Sequence, residues 1–265
     1  MPTKDLHAYL EGDSNLRVEK LSSPSTTGTL NHCISTSQAD VVLILDDDAT
    51  PCCGWVESHV TAFARSPDLA YTSGREVRSS EKQSAFSELM RIIIEGVFGL
   101  FVGHDKKLNG RIVGWINGIG LIFGNFDQPG TCKINSPRGC NMAVRRSAFL
   151  IMGGFNNSFR GNAWGFEADF GLRMHRQKRY GRYIGDAIVI HHEVPFGGSR
   201  GASKSKWLAD FLYNNKLLVK NLGPQAWFGS IPRLVKSVLT LKNSISVKGK
   251  KLDQMKRINT DEFIE

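Results

Sequence analysis

Three aspartates in a row, Asp46, Asp47 and Asp48, follow the apolar run Val41 to Leu45 in the stretch VVLILDDDATP. Like charges so close together repel one another, and a cation beside them removes the cost. Strand side chains alternate in direction, so Asp46 and Asp48 are expected to share a side while Asp47 points away. Two carboxylates converging on one spot suit a hard divalent ion, Mg²⁺ or Mn²⁺, which takes oxygen ligands and often keeps phosphate in its shell. The other use for an aspartate here is to cap a following helix, but one residue fills that role and two are left over.

Two further groups could do chemistry. Glu167 and Asp169 stand near the first turn of a helix-like stretch, where the helix dipole also favours carboxylates. His191 and His192 close the apolar run AIVIHH. Along the chain the order is an acidic cluster, a carboxylate pair, then histidine.

These groups need elements to hold them. DVVLILD (Asp40 to Asp46) reads as a strand buried on both faces of a parallel sheet, and ligands in such sheets bind beyond the carboxyl ends of strands. Leu16 to Ser22 alternates like a short strand, and Leu30 to Gln38 reads as a short helix. A helix is expected from Pro51 onward, with Trp55, Val56, Val60 and Phe63 at helical spacing. A strand over Leu69 to Val77 and a helical section over Glu81 to Phe101 come next. The Gly- and Asn-rich stretch from Val113 to Thr131 is irregular or hairpin-like. Ala143 to Phe155 reads as a strand end and a short helix stopped by Gly-Gly. A helix over Glu167 to Gln177, a strand over Ala187 to His192 and a basic helical stretch after Gly201 complete an α/β pattern.

Composition sets the bounds. With 265 residues, 41% hydrophobic and 22% charged, the chain can bury a core as one large domain or two small ones. Its five cysteines are odd in number and lack a C-x-x-C pair, which points to a reduced, cytoplasmic compartment. No apolar run reaches the ~20 residues of a membrane span. Ile92 to Gly103 is shorter and is broken by Glu95. The net charge of +9 sits in the tail: residues 200–265 carry 13 Lys/Arg against 5 Asp/Glu, residues 1–199 carry 21 against 20. Such a tail suits an anionic lipid surface or a phosphorylated ligand. It has few aromatics beyond Trp227 and Phe228, so nucleic acid is not the expected partner.

The segments in this order resemble the family 2 glycosyltransferases of GT-A fold, of bacterial type. VVLILDDDATP is similar to that family's strand leading into a D-x-D metal motif. GCNMAVRRSAFLIMGGFNNSF (Gly139 to Phe159) resembles its G-x-N-M-x-x-R-R segment with the following G-G-F. FEADFGLRM (Phe166 to Met174) resembles its E-D-x-D-L-x-x-R segment, DAIVIHH its late strand with a histidine, and PFGGSR a loop of bacterial members. WLADFLYNN (Trp207 to Asn215) shares its flavour, so the resemblance runs from about Leu16 to about Asn215.

The resemblance implies a three-layer α/β sandwich around a mostly parallel sheet, with residues 1–200 as catalytic domain and 201–265 as a basic, mainly helical extension. It implies a metal-dependent inverting transfer of sugar from a UDP- or dTDP-sugar to a hydroxyl of a glycan or lipid-linked acceptor. Mg²⁺ or Mn²⁺ would be the cofactor, held by Asp46, Asp48 and His191. Asp46, Asp47, Asn141, Arg145 and Arg200 would contact the donor or its phosphates. The general base would be Glu167 or Asp169. Alignment on DFGLRM puts Glu167 at the family's catalytic aspartate; alignment on the glutamate puts Ala168 there. Leu30 replaces the family's usual arginine, and the opening strand-helix-strand is not found ahead of Leu16, so the chain reads as amino-terminally truncated. A catalytically impaired remnant that acts as a binding module is the alternative. The enzyme would work in polysaccharide biosynthesis at the cytoplasmic face of the membrane.

Overall fold

Strand β1 (Val41–Leu45) turns Val42 and Ile44 to one face of a sheet and Val41, Leu43 and Leu45 to the other, as a period of two requires. A computed structural model describes residues 25–78, 102–192 and 204–229, together with 19, 21, 22, 89, 92, 93, 95–97 and 231. The expected strand over Leu16 to Ser22 and helical section over Glu81 to Phe101 lie largely outside the described residues. Arg200, the PFGGSR loop and the tail after Ile231 lie wholly outside them.

After β1 come α1's successors in chain order, α1 itself (Thr26–Thr36) preceding it. They are β2 (Ala49–Pro51), α2 (Trp55–Arg65), β3 (Leu69–Arg78), β4 (Lys107–Leu108), β5 (Arg111–Ile112), β6 (Trp115–Ile116), β7 (Ile122–Phe123) and β8 (Thr131–Ile134). β9 (Asn141–Arg145), α3 (Arg146–Ile151), α4 (Phe166–Arg176), β10 (Tyr180–His191) and α5 (Lys204–Leu222) follow. The main sheet has the order β1-β9-β3-β10-β2, with β8 also paired to β10. β1, β3 and β10 run the same way; β9 lies antiparallel between β1 and β3, and β2 and β8 run against β10. The expected α/β class is observed, but the sheet is mixed rather than mostly parallel: among the described strands of the main sheet only β3 and β10 pair in parallel, and β1 lies at its edge beside antiparallel β9. β4 pairs with β5 and β6 with β7, so the stretch from Val113 to Thr131 holds the expected hairpin.

Helices cover both faces, giving three layers. On one face α2 packs Trp55, Ala62 and Phe63 against Ala143, Ala187 and Val189. The buried stripe of α2 is Trp55, His59, Ala62 and Phe63, the i, i+4, i+7, i+8 pattern. Val56 and Val60, expected inward, are 55% and 44% exposed, because they sit one step round the helix from that stripe. Pro51 does not open the helix; it pairs with Val189 in β2, and α2 starts after Gly54, at φ 79°.

On the other face Ile34 of α1, Phe149 of α3, Phe170 and Met174 of α4 and Leu218 of α5 share the main core. Phe155 meets Phe149, Phe166 and Phe170 with ring centroids 5.0, 4.8 and 5.0 Å apart. Truncating such a ring costs about 3–5 kcal/mol. The cluster anchors the first turn of α4, which carries Glu167. α3 ends where Gly153 and Gly154 take φ of 72° and 71°, the left-handed conformation that L side chains avoid.

Candidate active site

Because β1, β3 and β10 run the same way, their carboxyl ends meet at one edge of the sheet. Asp46, Asp47 and Asp48 form the turn from β1 into β2, closed by Ala49 N–H to Asp46 O at 3.1 Å. His192 N–H donates to Asp48 O at 2.8 Å, tying this turn to the end of β10. There His191 Nε2 lies 2.9 Å from Asp48 Oδ1. Ligand atoms of Asp46, Asp48 and His191 all lie within 4.8 Å of one another. The turn, rather than the strand pleat, gathers them. Partial desolvation and the adjacent Asp48 carboxylate hold Asp46 above the ordinary carboxylate range. Two carboxylates and one imidazole fit Mn²⁺ or Mg²⁺, both of which accept oxygen ligands. Asp47 is exposed in the turn and is not part of this grouping.

Behind His191 stands Glu76 of β3, which carried no signal in the sequence. Its Oε1 lies 2.7 Å from His191 Nδ1 and 2.9 Å from Arg78 Nε, and its Oε2 lies 3.0 Å from Arg138 Nε. Burial pushes the Glu76 carboxyl up, but Arg138, His191 and Arg78 outweigh it and hold it at about 2. Cys140 also lies within reach of Glu76 and His191. Burial pushes its thiol up to about 12, and hard Mg²⁺ or Mn²⁺ prefers the oxygen ligands of Asp46 and Asp48 to a sulfur.

Glu167, in the first turn of α4, accepts a hydrogen bond from Gly139 N–H at 3.2 Å. A Cβ at Gly139 would stand 2.7 Å from Glu167 Oε1, so this glycine permits the approach. Burial raises the Glu167 carboxyl to about 7, against the pull of backbone hydrogen bonds and Arg138 and with help from Asp46. A carboxyl near neutrality is well matched to proton transfer.

Three expected site residues are placed elsewhere. Asp169 is fully buried on the far side of α4, about 200° round the helix from Glu167. It pairs with Arg173 Nε at 2.9 Å and with Asn221, and Arg173 reaches Met152 O and Gly154 O at 3.0 and 2.7 Å. Asn141, expected at the donor, is also fully buried. Its Oδ1 accepts from Trp55 Nε1 at 2.8 Å and meets His59 Nε2 at 3.1 Å, while its amide donates to Arg75 O and Ala187 O at 3.0 and 2.8 Å. With those groups occupied, Asn141 braces the edge from beneath and offers nothing to a donor. Arg145 pairs with Val41 at the opposite end of β9 from the site. Its guanidinium donates to Leu69 O at 3.0 Å and Phe63 O at 3.2 Å, which closes the carboxyl end of α2. His192 meets Thr50 Oγ1 at 2.9 Å.

The mixed α/β layers with an acid–histidine cluster at one sheet edge are the features that the motif resemblance led one to expect of a glycosyltransferase. No protein-family model matches the chain. It is similar to chondroitin synthase of Escherichia coli, 27% identical over 168 residues, which is 58% of this chain and 23% of that protein. The chain thus spans about a quarter of the length of the curated relative it matches. Among solved structures it is similar to a mannosyltransferase from Pyrobaculum calidifontis in complex with GDP-Man and Mn²⁺, at 16% identity and a TM-score of 0.43, over 82% of this chain and 49% of that one. It is also similar to glucosyl-3-phosphoglycerate synthase from Mycobacterium tuberculosis in complex with phosphoglyceric acid, at 13% identity and a TM-score of 0.40, over 79% and 57% of the two chains. No helix among the described residues is long and apolar enough to cross a membrane.

Proposed function

We propose that this chain is a metal-dependent, inverting glycosyltransferase that moves a sugar from a nucleoside-diphosphate sugar, of the UDP or dTDP kind, to a hydroxyl of a glycan or lipid-linked acceptor. The observation that carries the reading is the convergence of Asp46, Asp48 and His191, with ligand atoms within 4.8 Å, on one edge of the sheet. The sequence likeness to a chondroitin synthase favours a polysaccharide as acceptor.

Asp46, Asp48 and His191 would hold a divalent cation. When bound, such a cation supplies charge neutralisation for a departing diphosphate. Glu167 acts on the acceptor side: its carboxylate takes the proton of the attacking hydroxyl, and Gly139 N–H holds it in place. Glu167, not Asp169, is the base, since Asp169 is buried against Arg173. Arg138, beside Glu76 and Glu167, keeps the site from accumulating negative charge. The basic stretch beyond Asn221 would rest on anionic lipid at the cytoplasmic face.

Hydrolysis of a panel of sugar nucleotides with Mn²⁺, comparing wild type with Asp48→Ala, tests the reading. Turnover in the wild type that Asp48→Ala removes is expected. Equal background rates in both proteins would instead favour a binding module.

A further inference from the structure

We infer that Glu76 is the positioning residue of the metal site: its carboxylate fixes the ring and tautomer of His191 so that Nε2 faces the cation held with Asp46 and Asp48. The inference rests on the metal-dependent reading above.

Glu76 comes from β3 and His191 from β10, the parallel pair whose register sets Arg78 opposite His191. The Glu76 side chain is 5% exposed and bonded on both oxygens, Oε2 to Arg138 at 3.0 Å and Oε1 to Arg78 and His191 at 2.9 and 2.7 Å. With two guanidinium groups against it, this carboxyl is ionised and only accepts hydrogen bonds. The hydrogen between Glu76 and His191 therefore sits on Nδ1. In the neutral ring Nε2 is then the atom with the free lone pair, and it is the atom that faces Asp48 Oδ1 at 2.9 Å. With Nδ1 committed to Glu76, Nε2 is the nitrogen left to ligate a cation shared with Asp48. Ligating histidines depend on such partners behind them, and losing one typically weakens metal binding ~10–100-fold. Arg78 and Arg138 hold the Glu76 carboxylate in turn, so the support extends one layer further from the cation.

The test uses the full chain and Mn²⁺ alone, with free Mn²⁺ counted by electron paramagnetic resonance and bound Mn²⁺ examined for nitrogen hyperfine coupling. Wild type, Asp48→Ala, His191→Ala, Glu76→Leu and Glu76→Gln are compared, with thermal melts to identify folded protein. His191→Ala is expected to lose the nitrogen coupling, which establishes the site itself. Glu76→Leu should bind Mn²⁺ ~10–100-fold more weakly with reduced coupling. Glu76→Gln removes the charge but keeps an acceptor for Nδ1–H, so it should retain the coupling even where affinity falls. If Glu76→Leu fails to fold, Glu76→Gln decides through affinity: Mn²⁺ binding weakened with the nitrogen coupling kept supports the inference, and affinity equal to wild type overturns it. Nitrogen coupling unchanged in a folded Glu76→Leu overturns the inference while leaving the metal site standing. Mn²⁺ binding that ignores Asp48→Ala and His191→Ala sinks the metal reading, and this inference with it.

Discussion

His191 Nε2 lies 2.9 Å from Asp48 Oδ1 although 143 positions separate the two residues. The β10–β2 pairing brings the turn after β1 to the end of β10, and the His192 N–H bond to Asp48 O fixes the distance. On the proposed function, removing the cation should abolish donor turnover. We expect chelation by EDTA to stop the reaction and added Mn²⁺ to restore it. Asp48→Asn, which alters a proposed direct ligand, should raise the Mn²⁺ needed for half-maximal rate by more than the ~10–100-fold typical of an outer partner. Full activity in EDTA would contradict the site.

With Glu167 as the proposed base, its carboxyl, raised to about 7 chiefly by burial, should make the rate depend on pH near neutrality. A base works in its ionised form, so turnover should be low below this value, rise through about 7 and level off above it. Glu167→Gln should lower kcat ~10²–10⁴-fold and remove this rise, with the donor KM little changed. A variant that keeps the same profile would assign the base elsewhere.

Parts of this site could be read in the chain before any coordinates. Asp46 and His191 each end a dense apolar run and Asp48 follows two residues on, so placement at strand ends followed from local pattern. Glu167 and Asp169 were both legible at a helix start, and only their angle about the helix axis, seen in the structure, sets them apart. Glu76 and Arg138 were not legible, because a charged residue in mid-strand or in a loop gains meaning only from the strand beside it. Asn141 and Arg145 misled for the same reason: their segment matches a family motif, yet one lies under the edge and the other at the sheet's far end. In α2 the ambiguity was angular, since Val56 and Val60 are spaced as well as Trp55 and His59, and contact with β10 decides between them.

Asp169 and Glu167 should separate cleanly by experiment. Asp169 is a buried anion paired to Arg173 and Asn221, and breaking such a pair costs about 3–5 kcal/mol. Asp169→Ala should lower the thermal midpoint strongly, while the folded fraction keeps its pH profile and most of its kcat. A kcat loss in folded Asp169→Ala as large as that of Glu167→Gln would return Asp169 to the chemistry.

His59 offers a test of the scaffold rather than of the site. Fully buried between Thr72 and Asn141, it is held neutral, with burial pushing its pKa from 6.5 down to about 4. The unfolded chain takes up this proton below 6.5 and the native state only near 4, so stability is full above 6.5 and falls as pH drops toward 4. The shift corresponds to roughly 3 kcal/mol. Glu167, whose pKa is raised from 4.5 to about 7, pulls the other way, because its native state gives up the proton later than the unfolded chain. Glu76, held at about 2, acts only below 4.5. The difference between wild type and His59→Gln in urea unfolding from pH 7 to 4.5 therefore isolates the histidine. His59→Gln should be less stable at pH 7, and its deficit should shrink as the pH falls. A deficit constant across that range would mean that His59 is not kept neutral by the fold.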